Sequence, residues 1–110
     1  MTTCAETIEN HLEEAWSAWR AAREAPEMAK FDALIAAYAG CLKLLESETV
    51  DDALGLSIAL ACENVDKHRE QRDAQTDPDV AVMFEGSMLG TYDAIKTFSD
   101  LLGGRGKINE

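Results

Sequence analysis

The sequence predicts an all-α fold, an antiparallel up-down four-helix bundle, on three observations. Apolar residues recur at spacings of three and four along four separate stretches, which is the period of one helix face. Only two prolines and seven glycines interrupt 110 residues, too few breakers for a sheet with many turns. The stretches follow one another with very short connections, so consecutive helices must be antiparallel neighbours. A chain of this length supports one core. The single helical domain is expected over 1-102, with helices at about 3-24, 27-47, 50-75 and 78-102, and a flexible tail over 103-110. The same periodicity also fits paired helical hairpins that complete one bundle in a homodimer.

In the first helix Ile8, Leu12, Ala15, Trp16, Trp19 and Ala22 share one side. Thr2 or Thr3 supplies its cap, and Glu24-Ala25-Pro26 ends it, because the residue before proline is pushed out of the α region. Pro26 then suits the first turn of the second helix, where Met28, Phe31, Ile35, Tyr38, Leu42 and Leu45 form a seam widened by Leu34 and Cys41. Trp16 and Trp19 read as core anchors, since the residues around them on that side are Ile, Leu and Ala.

Thr49 with Asp52 three residues on resembles a capping box and opens the third helix. Its line is Val50, Leu54, Ser57, Ile58, Ala61, Val65 and His68. This helix changes character along its length: residues 53–62 are uncharged, whereas 63–73 contain a single apolar side chain, Val65. The first part is expected to cross the middle of the bundle, covered on every side. The second is expected to stay helical in water through pairs such as Glu63 with Lys67, Asp66 with Arg69, and Arg69 with Asp73. Asp77-Pro78 opens the fourth helix, whose inward line is Val80, Phe84, Ser87, Met88, Thr91, Ile95, Phe98 and Leu102, and Gly103-Gly104 is expected to stop it.

The formal charge is −11, from 21 acids against 10 bases. Direct nucleic-acid binding needs Lys and Arg to neutralise phosphates, and an anionic membrane disfavours the same charge. The longest uncharged runs, 33–42 and 53–62, are about half of a bilayer span. A basic surface on another protein is the partner such a charge attracts. Glu6, Glu27, Asp51, Asp52, Asp77 and Asp79 all lie in or beside first helical turns, where helix macrodipoles favour them, so a good share of the charge needs no partner. Glu6, Glu9 and Glu13 on one flank of the first helix repel one another at helical spacing, which singles them out as a candidate partner surface. The charged end of the third helix, with Glu63, Asp66, Glu70 and Asp73, is the second candidate.

Self-association is expected through Leu56 and Leu60 on the third helix and Val82 and Leu89 on the fourth, all off the main apolar lines. Gly86, Gly90 and Ala94 add small-xxx-small spacing, which lets helix axes approach closely, within a chain or between copies.

No catalytic, cofactor or metal residues are assigned. A di-iron bundle needs Glu-x-x-His on two helices, whereas His11 stands two after Glu9 and His68 five after Glu63. The segment Glu63-x-x-Asp66 matches half of the EExxE…ExxD pattern of helical nucleotide pyrophosphatases, but "HLEEAWS" has serine where the third glutamate belongs. Near Cys62 a CxxCxxxH redox pattern lacks its second cysteine. His11 and His68 read as residues at the edge of a core. Cys4, Cys41 and Cys62 are odd in number and far apart, as expected for reduced thiols in a cytoplasmic protein, with Cys41 and Cys62 buried. The segment "MTTCAETIEN" has neither the basic nor the apolar region of a secretory leader.

The functional expectation is a small acidic module that binds a protein stoichiometrically and occludes its basic surface. Compact acidic domains of this kind act as toxin immunity proteins, phage-encoded inhibitors of nucleic-acid-handling systems, and chaperones. The alternative is a carboxylate-based, metal-dependent helical-bundle enzyme that uses Glu63, Asp66 and acids of the first helix.

Overall fold

A computed structural model describes residues 3–108. The chain forms α1 (Cys4–Ala21), α2 (Ala25–Leu45), α3 (Val50–Ala74) and α4 (Pro78–Ile108), packed as an all-α four-helix bundle. Local chemistry sets the starts. Thr3 Oγ1 accepts the Glu6 amide at 3.1 Å, and Thr49 Oγ1 accepts the Asp52 amide at 3.2 Å. Asp77 Oδ1 accepts the Asp79 amide at 3.0 Å, just ahead of the proline that begins α4. Glu24 caps α2 with its backbone alone, and Pro26 sits in the first turn. Thr2, the other cap candidate for α1, lies outside the described residues.

Four boundaries differ by two residues or more from those expected, one of them the α2 end, at Leu45 rather than 47. The first helix ends at Ala21, because Ala22 already has extended backbone, and α2 begins at Ala25. The fourth helix runs through Gly103-Gly104 to Ile108, where a stop and a flexible tail were expected. A glycine stops a helix when it turns left-handed, and no described glycine has positive φ. Within a helix each glycine costs only about 1 kcal/mol relative to alanine. The rest of the expected tail, residues 109 and 110, lies outside the described residues.

The four helices do not contribute equally. The central contact joins α2 to α4; α1 packs on α2, and α3 packs mainly on α4. A two-hairpin alternation makes α2 and α4 parallel, and the pairings run accordingly. Gly86 lies against the Pro26 carbonyl, Gly90 against the Lys30 carbonyl and Ala33 Cβ, and Tyr38 against Thr97. Gly86, Gly90 and Ala94 are all buried in this seam, so the small-residue spacing works inside the molecule. That corrects the assignment of Gly86 and Gly90 to self-association: their bare backbones are occupied by α2.

The core gathers Ile8 of α1, Leu34, Tyr38 and Cys41 of α2, Leu54 of α3, and Ala94 and Phe98 of α4. The Tyr38 and Phe98 rings meet edge to face at 5.8 Å between centroids. Thr97 Oγ1 lies 3.1 Å from the Tyr38 hydroxyl, where either group can donate, and 3.1 Å from the Asp93 carbonyl, to which it donates when it accepts from Tyr38. Burial pushes the Tyr38 phenol above its ordinary value; the Thr97 hydrogen bond opposes this, while the Asp93 and Glu14 carboxylates add to it.

Candidate functional site

Three surfaces deserve comparison, and the first is the outer side of α1. Glu6, Glu9 and Glu13 are all exposed there, and none joins an ion pair among the described residues. At about 100° per residue, Trp16 falls on the same strip, one turn beyond Glu13. The sequence reading placed both tryptophans in the core, but Trp16 is 42% exposed, and Ala15 takes the buried position instead. Trp19 is half-buried and props the Trp16 ring edge-on, 5.8 Å between centroids. Glu13, Trp16, Ser17 and Arg20 together enclose a shallow surface depression. The signal for this arrangement was in the sequence, since Glu6, Glu13 and Trp16 keep helical register with one another.

The charged end of α3 is a weaker acidic surface. Glu63, Asp66, Glu70 and Asp73 are exposed, but Asp66 pairs with Arg69 at 3.3 Å and Asp73 with Arg72 at 3.1 Å. Arg69 also donates to the Tyr92 hydroxyl at 2.9 Å, and Arg72 approaches Glu85 of α4 at 4.0 Å. Arg69 therefore reaches across to α4 rather than along its own helix to Asp73.

The third surface is a groove of about 230 Å³ between α2 and α3. Ala33, Ala36, Ala37, Gly40 and Leu44 form one wall; Leu60, Asn64 and His68 form the other, with Cys41, Ser57 and Thr91 deep between them. Leu56 and Leu60 are 45% and 53% exposed, and Gly55, Ala59 and Cys62 are also exposed. The expectation that residues 53–62 are covered on every side is therefore corrected: Ala53, Leu54, Ser57 and Ala61 are buried toward α4 and α2, and the outer side is bare. Cys62, expected to be buried, faces outward because it lies about 100° round the helix from buried Ala61.

Polar groups in the groove are incompletely satisfied. Thr91 Oγ1 donates to the Ser87 carbonyl at 2.8 Å. Ser57 is 6% exposed, and its hydroxyl has no hydrogen-bond partner among the described residues; neither has His68 Nδ1. Burial raises the Cys41 thiol above its ordinary value. The Ser57 hydroxyl beside it offsets part of that rise, without the geometry of a full hydrogen bond. His68 leans on Phe84 with 6.3 Å between ring centroids, and His11 stacks on Tyr38 at 5.5 Å, so both histidines border packed aromatic residues as the sequence suggested.

Val82 and Leu89 are 42% and 58% exposed on the outer side of α4. They do not line the groove, and Leu89 instead borders a separate depression with Arg72, Glu85, Met88 and Tyr92, so the structure does not gather the self-association candidates into one pocket. Among the described residues no three His, Cys, Asp or Glu side chains converge to hold a metal ion, and the acids of α1 do not meet Glu63 and Asp66. No described helix is long and apolar enough to cross a membrane. No family model, curated protein or solved structure matches the chain.

Proposed function

We propose that this chain is a stoichiometric protein-binding module, of the inhibitor, immunity or chaperone type, that occludes a basic surface of its partner. The observation that carries this reading is the outer strip of α1, where exposed Trp16 continues a row of three unpaired carboxylates, Glu6, Glu9 and Glu13. Each part has a distinct physical task. The carboxylates steer a Lys/Arg surface into place and set the register, with an effect that fades as salt rises. An exposed tryptophan is the residue type that most often anchors an interface, filling an apolar hollow from which water is then excluded. Trp19 restricts the Trp16 rotamers, so less freedom is lost on docking.

The test is capture from an extract of the native cell, comparing the wild-type chain with two variants. One reverses Glu6, Glu9 and Glu13 to lysine; the other is Trp16→Ala. Both lie on a solvent-facing strip, so helicity measured by circular dichroism should be unchanged. Loss of the same bound protein from both variants supports the reading. Undiminished capture by the triple reversal at physiological salt sinks it.

A further inference from the structure

The two longest uncharged runs of the chain, 33–42 and 53–62, meet across the α2–α3 groove, and both leave apolar surface bare there. We propose that a second copy of the chain covers this groove, in a two-fold arrangement in which Leu56 and Leu60 of each protomer enter the groove of the other.

Four features lead to this occupant. First, the hollow is made by missing side chains: a Cβ built on Gly40 meets nothing within 4 Å, and the residues before it on that wall are alanines, with Leu44 closing the far end. Second, leucines that would fill such a hollow are at hand: Leu60 lines the groove at 53% exposure, and Leu56, 45% exposed, stands one turn before it on α3. Knob and hole on one face are what an isologous two-fold contact requires, because each surface must be its own complement. Third, charge selects the partner. A basic protein gains nothing from an uncharged face, whereas two copies of a chain carrying −11 repel over most of their surfaces and can close where no acids face each other. On that side of α3 the rim charges are Asp52, one turn before Leu56, and Glu63 and Lys67 beyond Leu60, so the two leucines stand on the uncharged stretch between them. Fourth, two polar atoms of the groove residues, Ser57 Oγ and His68 Nδ1, make no full hydrogen bond among the described residues. Asn64 lies one turn from Leu60 on the same side of α3 and is exposed, so it would enter with Leu60 and bring an amide that both donates and accepts.

This face is separate from the acidic strip of α1. On α2, Ala33 and Gly40 line the groove, whereas Phe31 and Leu42 pack into the core that α1 joins; each of those pairs is two residues apart, about 200° round the helix. Self-association and capture of a basic partner can therefore proceed together, and salt distinguishes them. Screening relieves repulsion between acidic copies and strengthens the dimer, while it weakens docking of a basic partner on α1.

Sedimentation equilibrium on the full chain tests the proposal, with two variants chosen to fold. Gly40→Leu fills the hollow from a position where a side chain has room and favours helix; Leu60→Glu places a charge on the rim knob. The wild-type chain should sediment as a dimer whose affinity rises with added salt. Each variant should weaken dimerisation at least roughly a hundredfold with circular dichroism unchanged. Reversal of Glu6, Glu9 and Glu13 should not loosen the dimer. A wild-type chain that stays monomeric at high micromolar concentration, as it would if a small molecule or a different protein fills the groove, overturns the proposal. So does a dimer that survives both Gly40→Leu and Leu60→Glu.

Discussion

Replacing Gly90 by alanine should destabilise the protein, although alanine is the better helix former. A Cβ at Gly90 would overlap the Lys30 carbonyl oxygen, lie 2.9 Å from the Lys30 carbonyl carbon, and press within 3.1 Å of Ala33 Cβ. Two of these atoms are helix backbone, so no rotamer change relieves the clash. To regain ordinary carbon contact at 3.5–4.0 Å, the α2 and α4 axes must part by roughly 1 Å, which loosens the seam along its length. Overpacking of this kind costs about 3 kcal/mol at the upper end of its usual range, and the gain in helix propensity returns about 1. The net loss of about 2 kcal/mol should lower Tm by roughly 10 °C in a domain of this size. Gly55→Ala is the control: the same substitution in a helix, where a Cβ meets nothing within 4 Å, should stabilise by about 0.5–1 kcal/mol. Urea unfolding followed by circular dichroism reads both. If Gly90→Ala proves as stabilising as Gly55→Ala, the parallel seam between α2 and α4 is wrong.

Further outcomes follow from the core and the thiols. Phe98→Ala removes a fully buried ring that Tyr38 contacts edge-on, and denaturant curves should show a loss of about 3–5 kcal/mol. Thr49→Ala deletes the α3 cap and should cost about 1 kcal/mol by the same measurement. A thiol reagent should modify exposed Cys62 in the folded protein and reach buried Cys41 only on unfolding; equal rates would contradict the placement of α3. The Tyr38 phenol and Cys41 thiol have folded pKa values raised from 10.0 and 9.0 by burial. Their neutral forms are thus favoured by folding, and the stability they lend is complete below those unfolded values. It should fall as pH climbs past about 9 and through the raised folded values, because the unfolded chain releases protons that the folded chain retains. Tyr38→Phe should flatten the upper part of that decline in pH-dependent urea melts.

Features written in a few adjacent residues were legible from sequence. Thr3, Thr49 and Asp77-Pro78 act as caps because capping is a contact between neighbours, and the apolar lines found Ile8, Leu34, Leu54 and Phe98 because burial on a helix follows its period. Partner choice is another matter. Gly86-x-x-x-Gly90 announces a close helix approach but carries no mark of which helix arrives, so the intramolecular seam with α2 had the same signature as a dimer contact. Trp16 and Cys62 were misplaced for a related reason. Each sits at the margin of an apolar line, and which margin a neighbour covers depends on where that neighbour lies around the axis. The α2–α3 groove was invisible because it arises from spacing between helices, although the uncharged runs that line it were plain.

The α2–α4 seam also constrains how the chain can fold. Its tightest contacts join residues far apart in sequence, with Tyr38 and Thr97 separated by 59 positions. Neither the α1–α2 hairpin nor the α3–α4 hairpin contains both sides of that seam, so each alone would expose the face that the other covers. The loop-closure entropy for these pairs must be met before the long-range contacts can form, which slows folding relative to a bundle held by sequential neighbours. Once closed, the seam ties both hairpins into one unit that unfolds together, so cutting the connection between α2 and α3 should yield two fragments that are helical only in each other's presence.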